Sequence, residues 1–132
     1  MTISDVCPRT GIPRDRTSSA RHYVMCPPTH FAVEYAINPW MDTDATVDAG
    51  RAVAQWTELV DIYRRLGHTV SVLDPIPGLP DMVYAANGGL VVGDRAIVAR
   101  FRHAERAGEA RAHAAWMAAA GLTPVRTRNV NE

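Results

Sequence analysis

Three residues in the middle of the chain are of types that together hold a small charged molecule. They are Asp81 in LPDMVYAANGG, Asn87 before Gly88-Gly89, and Arg106 closing ARFRHAER. Asp81 stands between Pro80 and an apolar stretch, where an ionised carboxylate is costly unless paired. It can grip a cationic group such as a guanidinium through a bidentate pair, or it can cap a turn. Asn87 offers two donor hydrogens and an acceptor without charge; as a purely structural residue it is a turn former tolerant of positive φ. Arg106 lies near the start of a helical segment, where a cation is mildly unfavourable for the dipole. It reads either as a solvated surface charge or as a binder of carboxylate. Asn38, in INPW, is the X of an X-Pro turn. Cys26 is the only candidate nucleophile, but it sits in a β-prone run without an adjacent base and reads as a small buried hydrophobe. Of the five histidines, His30 in the PPTH loop is the one candidate for a role in a site. Their spacing fits no metal-ligand pattern, so no metal is expected. GGLVVGD lacks the G-x-G-x-x-G spacing and precedes a strand, which excludes a dinucleotide fingerprint.

The elements that position these residues are short. Leu90–Val92 and Ala96–Ala99 are apolar runs separated by Gly93-Asp94-Arg95, predicting a buried hairpin with a three-residue turn. His22–Cys26 predicts a strand ended by Pro27-Pro28. The stretch from about residue 27 to 47 lacks a clean period and is expected to be irregular, packed by Phe31, Tyr35 and Trp40; long loops of this kind are often functional. Asp48–Leu66 is the clearest helix: Val53, Trp56, Val60 and Tyr63 recur at helical spacing, Asp48 can cap its start and Gly67 can stop it. His68–Leu73 alternates as a strand, and DPIPGLP connects it to the hairpin. His103–Ala120 predicts a second helix, followed by a strand over Leu122–Arg126 and polar coil from Thr127. LGHTVSVLDP and AGLTPVRTRN repeat the layout helix, Gly, strand. The order suggests a recurring β-β-α-β unit. Because no third unit follows and the chain stops at Glu132, we expect it to be the opening portion of a longer protein.

At 132 residues, with 47% apolar residues, the chain can bury the core of one domain. Lys+Arg and Asp+Glu are 14 each, a balance that argues against nucleic acid or an anionic membrane as partner. Two cysteines, Cys7 in a polar segment and Cys26 in a strand, do not make a disulfide framework, and a cytoplasmic location is expected. No apolar run has membrane-spanning length. Residues 1–20, polar and broken by Pro and Gly, are expected to form a flexible tail, and 21–132 the folded part.

MCPPTHFAVEYAINPWM (25–41), LPDMVYAANGGLVV (79–92) and the segment Arg100–Arg106 resemble the guanidine-modifying, or amidinotransferase, superfamily. The resemblance is to its arginine dihydrolase branch and its dimethylarginine dimethylaminohydrolases. It implies an α/β propeller, the five-bladed pentein, of which this chain would form about the first two blades. It implies covalent chemistry: a cysteine attacks the guanidinium carbon, a histidine protonates the departing amine, and water hydrolyses the thiouronium. By position, Asp81 matches a guanidinium-binding carboxylate and Arg106 the clamp on the substrate α-carboxylate. Asn87 and Asn38 match asparagines of the dihydrolase branch, and Phe31 falls among the substrate-binding residues. Where the dimethylarginine and deiminase branches carry acids, this chain has Ala86 and Asn87, and in the dihydrolase branch the asparagine accompanies conversion of arginine to ornithine, ammonia and CO2. The catalytic histidine and cysteine are expected beyond residue 132, so no residue here is assigned catalysis, and this stretch alone would be inactive. The small-molecule substrate would be arginine or methylated arginine, with no cofactor, and the protein would be a homo-oligomer. Dimethylarginine hydrolysis is the alternative activity, and a catalytically silent pentein serving as a binding module is the alternative class.

Overall fold

A computed structural model describes residues 18–132; the cysteine at position 7 and most of the expected tail lie outside the described residues. Two small sheets and two helices follow one another. Strand β1 (His22–Met25) pairs in parallel with β2 (Thr69–Val72), in the register His22 opposite Thr69, and helix α1 (Ala49–Arg65) connects them. A parallel pair needs such a crossover. The Asp48 carboxylate accepts from Arg51 N at 2.9 Å, satisfying one of the helix's unpaired donors. α1 packs by Val60, which is buried, and by Tyr63, whose ring stacks on Tyr23 at 4.6 Å.

The second sheet has the order β3 (Gly89–Val92), β4 (Arg95–Val98), β5 (Thr123–Arg126), with β3 antiparallel and β5 parallel to β4. Helix α2 (Glu109–Ala119) supplies the crossover from β4 to β5. β4 alternates cleanly: Ala96 and Val98 face the core while Arg95 and Ile97 face outward.

Several expectations need correction. Val92 pairs with Arg95, so the hairpin turn has two residues rather than three, with Gly93 at φ +62° in its first position. This is the placement a tight primed turn demands. Only half of the hairpin is buried: β4 faces the core through Ala96 and Val98, whereas Leu90, Val91 and Val92 are exposed along the open edge of β3. The second helix does not run from His103. A 3-10 turn over Ala104–Arg106 comes first, then α2 from Glu109. Among the described residues the first unit is β-α-β, and only the second is β-β-α-β. Between β2 and β3, two further 3-10 turns (Pro80–Val83 and Ala85–Gly88) carry Asp81 and Asn87.

α2 lies between two apolar clusters. Ala96, Val98, Ala110 and Met117 form one, with Phe101 and Leu122 against it; Cys26, Leu73 and Met82 form the other, with Leu79 and Ala112 against it. Trp116 packs on both. Among the described residues no helix is long and apolar enough to cross a membrane.

Candidate functional site

The 3-10 turn at Pro80 starts with a proline, whose fixed φ suits a first helical position. The turn drops the Asp81 side chain inward, and the residue is 4% exposed. The next turn brings Asn87 alongside. Its backbone φ is not positive, so the left-handed turn role expected for it is not the one it plays. Gly88, behind it, lies so close to the His113 ring that no side chain fits between them.

Arg106 is not a solvated surface charge: it is buried, 8% exposed. Its Nε and one terminal nitrogen donate to the two oxygens of Glu109, both at 2.8 Å. That second nitrogen also donates to the Asp81 carbonyl at 3.3 Å, and the other terminal nitrogen donates to Asn87 Oδ1 at 3.1 Å. The guanidinium carbon sits 4.6 Å from the centre of the Phe101 ring, a cation–π contact. Glu109 is fully buried, and a carboxylate so placed is tolerated only because it is paired and stands in the first turn of α2. Burial works against the charge of Arg106, but the hydrogen bonds and charge of Glu109, with Asp81 and Tyr35, hold its pKa above the ordinary arginine value.

Asp81 Oδ2 accepts from the Tyr35 hydroxyl at 2.8 Å and lies 3.8 Å from Arg106 Nε. Burial first, then the bond to Asp81 and its charge, push the Tyr35 phenol well above its usual pKa. Among the described residues no hydrogen bond reaches the other oxygen of Asp81. Two carboxylates therefore meet one guanidinium, and Glu109 takes the closer grip. Asp81 is left as the less compensated anion.

Asp81, Asn87, Arg106, Asn38 and Phe31 all line one cavity of about 530 Å³, so the structure gathers every site residue expected from sequence. Ile37, Tyr84 and Met41 complete its apolar walls, and the Phe31 and Tyr84 rings meet edge to face at 5.9 Å. Trp40 stands at the rim, 89% exposed. Asn38 also keeps its turn role, its Oδ1 accepting from Trp40 N at 3.0 Å. The cavity has the Asp81 carboxylate beside the Arg106 guanidinium at its buried end, and aromatic and aliphatic sides. That suits a cation carried on an apolar stem.

Cys26 and His30 do not line this cavity. Cys26 is fully buried, and desolvation, then the charges of Glu109 and Asp74, push its thiol up to about 11, so it is a poor nucleophile. Among the described residues no group of three or more His, Cys, Asp or Glu is placed to hold a metal ion. Sequence reasoning missed Tyr35, Glu109 and His113. Glu109 follows Arg106 by three residues and His113 follows Glu109 by four, spacings that place neighbours on a helix. Tyr35 lies 46 positions from Asp81, with no local signal.

The backbone superposes on pentein-fold arginine-modifying enzymes, and the proteins similar to this chain in sequence are members of the guanidine-modifying superfamily. It is 59% identical over 124 residues to N(G),N(G)-dimethylarginine dimethylaminohydrolase of Mycobacterium tuberculosis (94% of this chain, 41% of the relative). It is 40% identical over 107 residues to the bifunctional arginine dihydrolase/ornithine cyclodeaminase AgrE of Nostoc (80% of this chain, 15% of the relative). The crystal structure of a cysteine-to-alanine variant of AgrE with L-arginine superposes with a TM-score of 0.75 at 36% identity, over 84% of this chain and 17% of AgrE. The chain thus spans about two fifths or less of these relatives. No protein-family model matches it.

Proposed function

We propose that this chain is the substrate-binding N-terminal part of a hydrolase acting on the guanidinium of free arginine. Asp81 accepts hydrogen bonds from the substrate guanidinium, Phe31 covers the aliphatic stem, Asn38 lines the entrance, and the uncommitted N–H of Arg106 takes the α-carboxylate. A cysteine thiolate, in the part of the longer relatives that this chain does not span, attacks the guanidinium carbon, and a histidine there protonates the departing amine. Water releases the resulting thiouronium. One turnover takes arginine and water to citrulline and ammonia; a second takes citrulline and water to ornithine, ammonia and CO2. Asn87 favours the double turnover, because a neutral amide can donate to the urea carbonyl that a carboxylate would repel.

The observation that carries this reading is the convergence of Asp81, Asn87, Arg106, Asn38 and Phe31 on one cavity with excess negative charge at its buried end. Dimethylarginine hydrolysis to citrulline and dimethylamine is the second reading, favoured by the 59% identity to the mycobacterial enzyme. Incubating the full-length protein with each substrate separates them. Ornithine from arginine supports the first, dimethylamine from dimethylarginine the second, and citrulline as the sole product from arginine refutes the role given to Asn87. The exposed apolar edge of β3 supports a homo-oligomer, and the sparse cysteines support a cytoplasmic setting.

A further inference from the structure

We infer that Glu109 is a positioning residue: through Arg106 it locks the Asn87 amide with its oxygen inward and its NH2 free to donate to a ligand. The inference rests on the arginine-to-ornithine reading above.

A guanidinium has five N–H donors and no acceptor. Whatever faces it must accept, so the Asn87 side chain can meet Arg106 only through Oδ1, as it does at 3.1 Å. The amide NH2 is then turned away from Arg106, and among the described residues it donates to none. Asn87 lines this cavity and also the one beside it along Gly89 and Ile97, and we place the free donor pair in the first. The orientation is only as firm as Arg106 itself. Glu109 fixes one edge of the guanidinium with two bonds of 2.8 Å, the Asp81 carbonyl takes a further N–H, and the Phe101 ring supports the plane. Four of the five donors are thereby committed, and the guanidinium cannot turn without breaking several bonds at once. Asp81 is bonded through its backbone to the same guanidinium, so the pair also ties the two binding turns to the start of α2.

Glutamine at position 109 keeps size and shape but offers one acceptor and a misplaced NH2 against a donor-only partner. Arg106 loses half of its bidentate hold, and the Asn87 amide becomes free to turn its oxygen toward the ligand. That orientation repels a urea carbonyl. The second hydrolysis should suffer more than the first.

The test uses the full-length protein, with ornithine and citrulline from arginine measured by amino-acid analysis alongside arginine consumption. Glu109→Gln should lower the ornithine-to-citrulline ratio about tenfold, the equivalent of one lost hydrogen bond. Arg106→Lys, which keeps the buried charge but not the fork, should shift the ratio the same way and serves if Glu109→Gln folds poorly. Asn87→Asp keeps the contact with Arg106 but has no donor, and should accumulate citrulline. A merely structural defect would slow both steps alike, so an unchanged ratio in a folded Glu109→Gln or Arg106→Lys variant overturns the inference, while ornithine formed by the wild type still upholds the proposed reaction. If the wild type itself stops at citrulline, the proposed activity fails, and the inference with it.

Discussion

Replacing Gly88 with alanine isolates the close approach on which Asn87 rests. A Cβ at position 88 would stand more than an ångström inside ordinary contact, which begins at 3.4 Å, and its nearest neighbours are atoms of the buried His113 ring. The backbone there is not left-handed, so alanine carries no conformational strain and by itself would stabilise the chain by roughly 0.4–1 kcal/mol through the unfolded state. Against that stands overpacking, typically about 1–3 kcal/mol and higher when the obstacle is a rigid ring. We expect a net loss of about 2 kcal/mol. With His113→Ala in the background the obstacle is gone, and Gly88→Ala should become neutral or slightly stabilising. The double-mutant cycle would then give a coupling of about 2–3 kcal/mol. Urea unfolding of the four proteins, with the slopes compared, measures it. Should Gly88→Ala stay within about 0.5 kcal/mol of wild type, or cost the same with alanine at 113, the packing of Gly88 on His113 is not what holds the Asn87 turn.

Two further outcomes follow from buried titrating groups. Burial, then the charge of Arg106, holds the His113 pKa below its ordinary 6.5. Its contribution to stability is complete above that value and is lost as pH falls toward the depressed folded value, because the unfolded chain takes a proton that the fold refuses. The fall in urea midpoint between about pH 7.5 and about pH 5 should therefore be smaller in His113→Phe, and an equal fall would rule out this site as the source. Cys26, raised from 9.0 to about 11, has the opposite sign: the native state is undisturbed below 9.0 and loses stability as pH climbs toward about 11. At mildly alkaline pH, iodoacetamide should label Cys26 only as fast as the protein unfolds, and mass spectrometry of native and urea-treated samples checks this. Rapid labelling of the native protein would contradict the burial argument.

Sequence alone located α1 well, because Asp48, the Val53–Trp56–Val60–Tyr63 spacing and Gly67 all mark the same element. Even there, Val53 and Leu59 are exposed and only Val60 is fully buried, since a stripe gives a direction and not a depth. Gly93 signalled the hairpin, but its two-residue length depends on the pairing of Val92 with Arg95, which no local pattern dictates. The site residues were recognisable as types, whereas their environment was not. Arg106 looked like a surface charge because helix ends are usually solvated. What draws it inward is Glu109, three residues on, together with the Asn87 amide oxygen and the Asp81 carbonyl, which only the tertiary fold brings to it. The 3-10 turns were hidden for a related reason: Pro80 and the Asn-Gly pair mark breaks in the chain without saying how tightly it coils there.

The place of Trp116 between the two apolar clusters has a practical side. Of the three tryptophans, Trp40 is nearly free in solvent and Trp56 half-buried on α1, while Trp116 bridges the β1–β2 half and the β3–β4–β5 half, with the His22 ring 6.3 Å away edge to face. In a variant carrying phenylalanine at 40 and 56, its emission becomes an optical gauge of whether the halves are docked. It can register their separation while each half keeps its far-ultraviolet signature, distinguishing loosening at the seam from melting of the elements themselves.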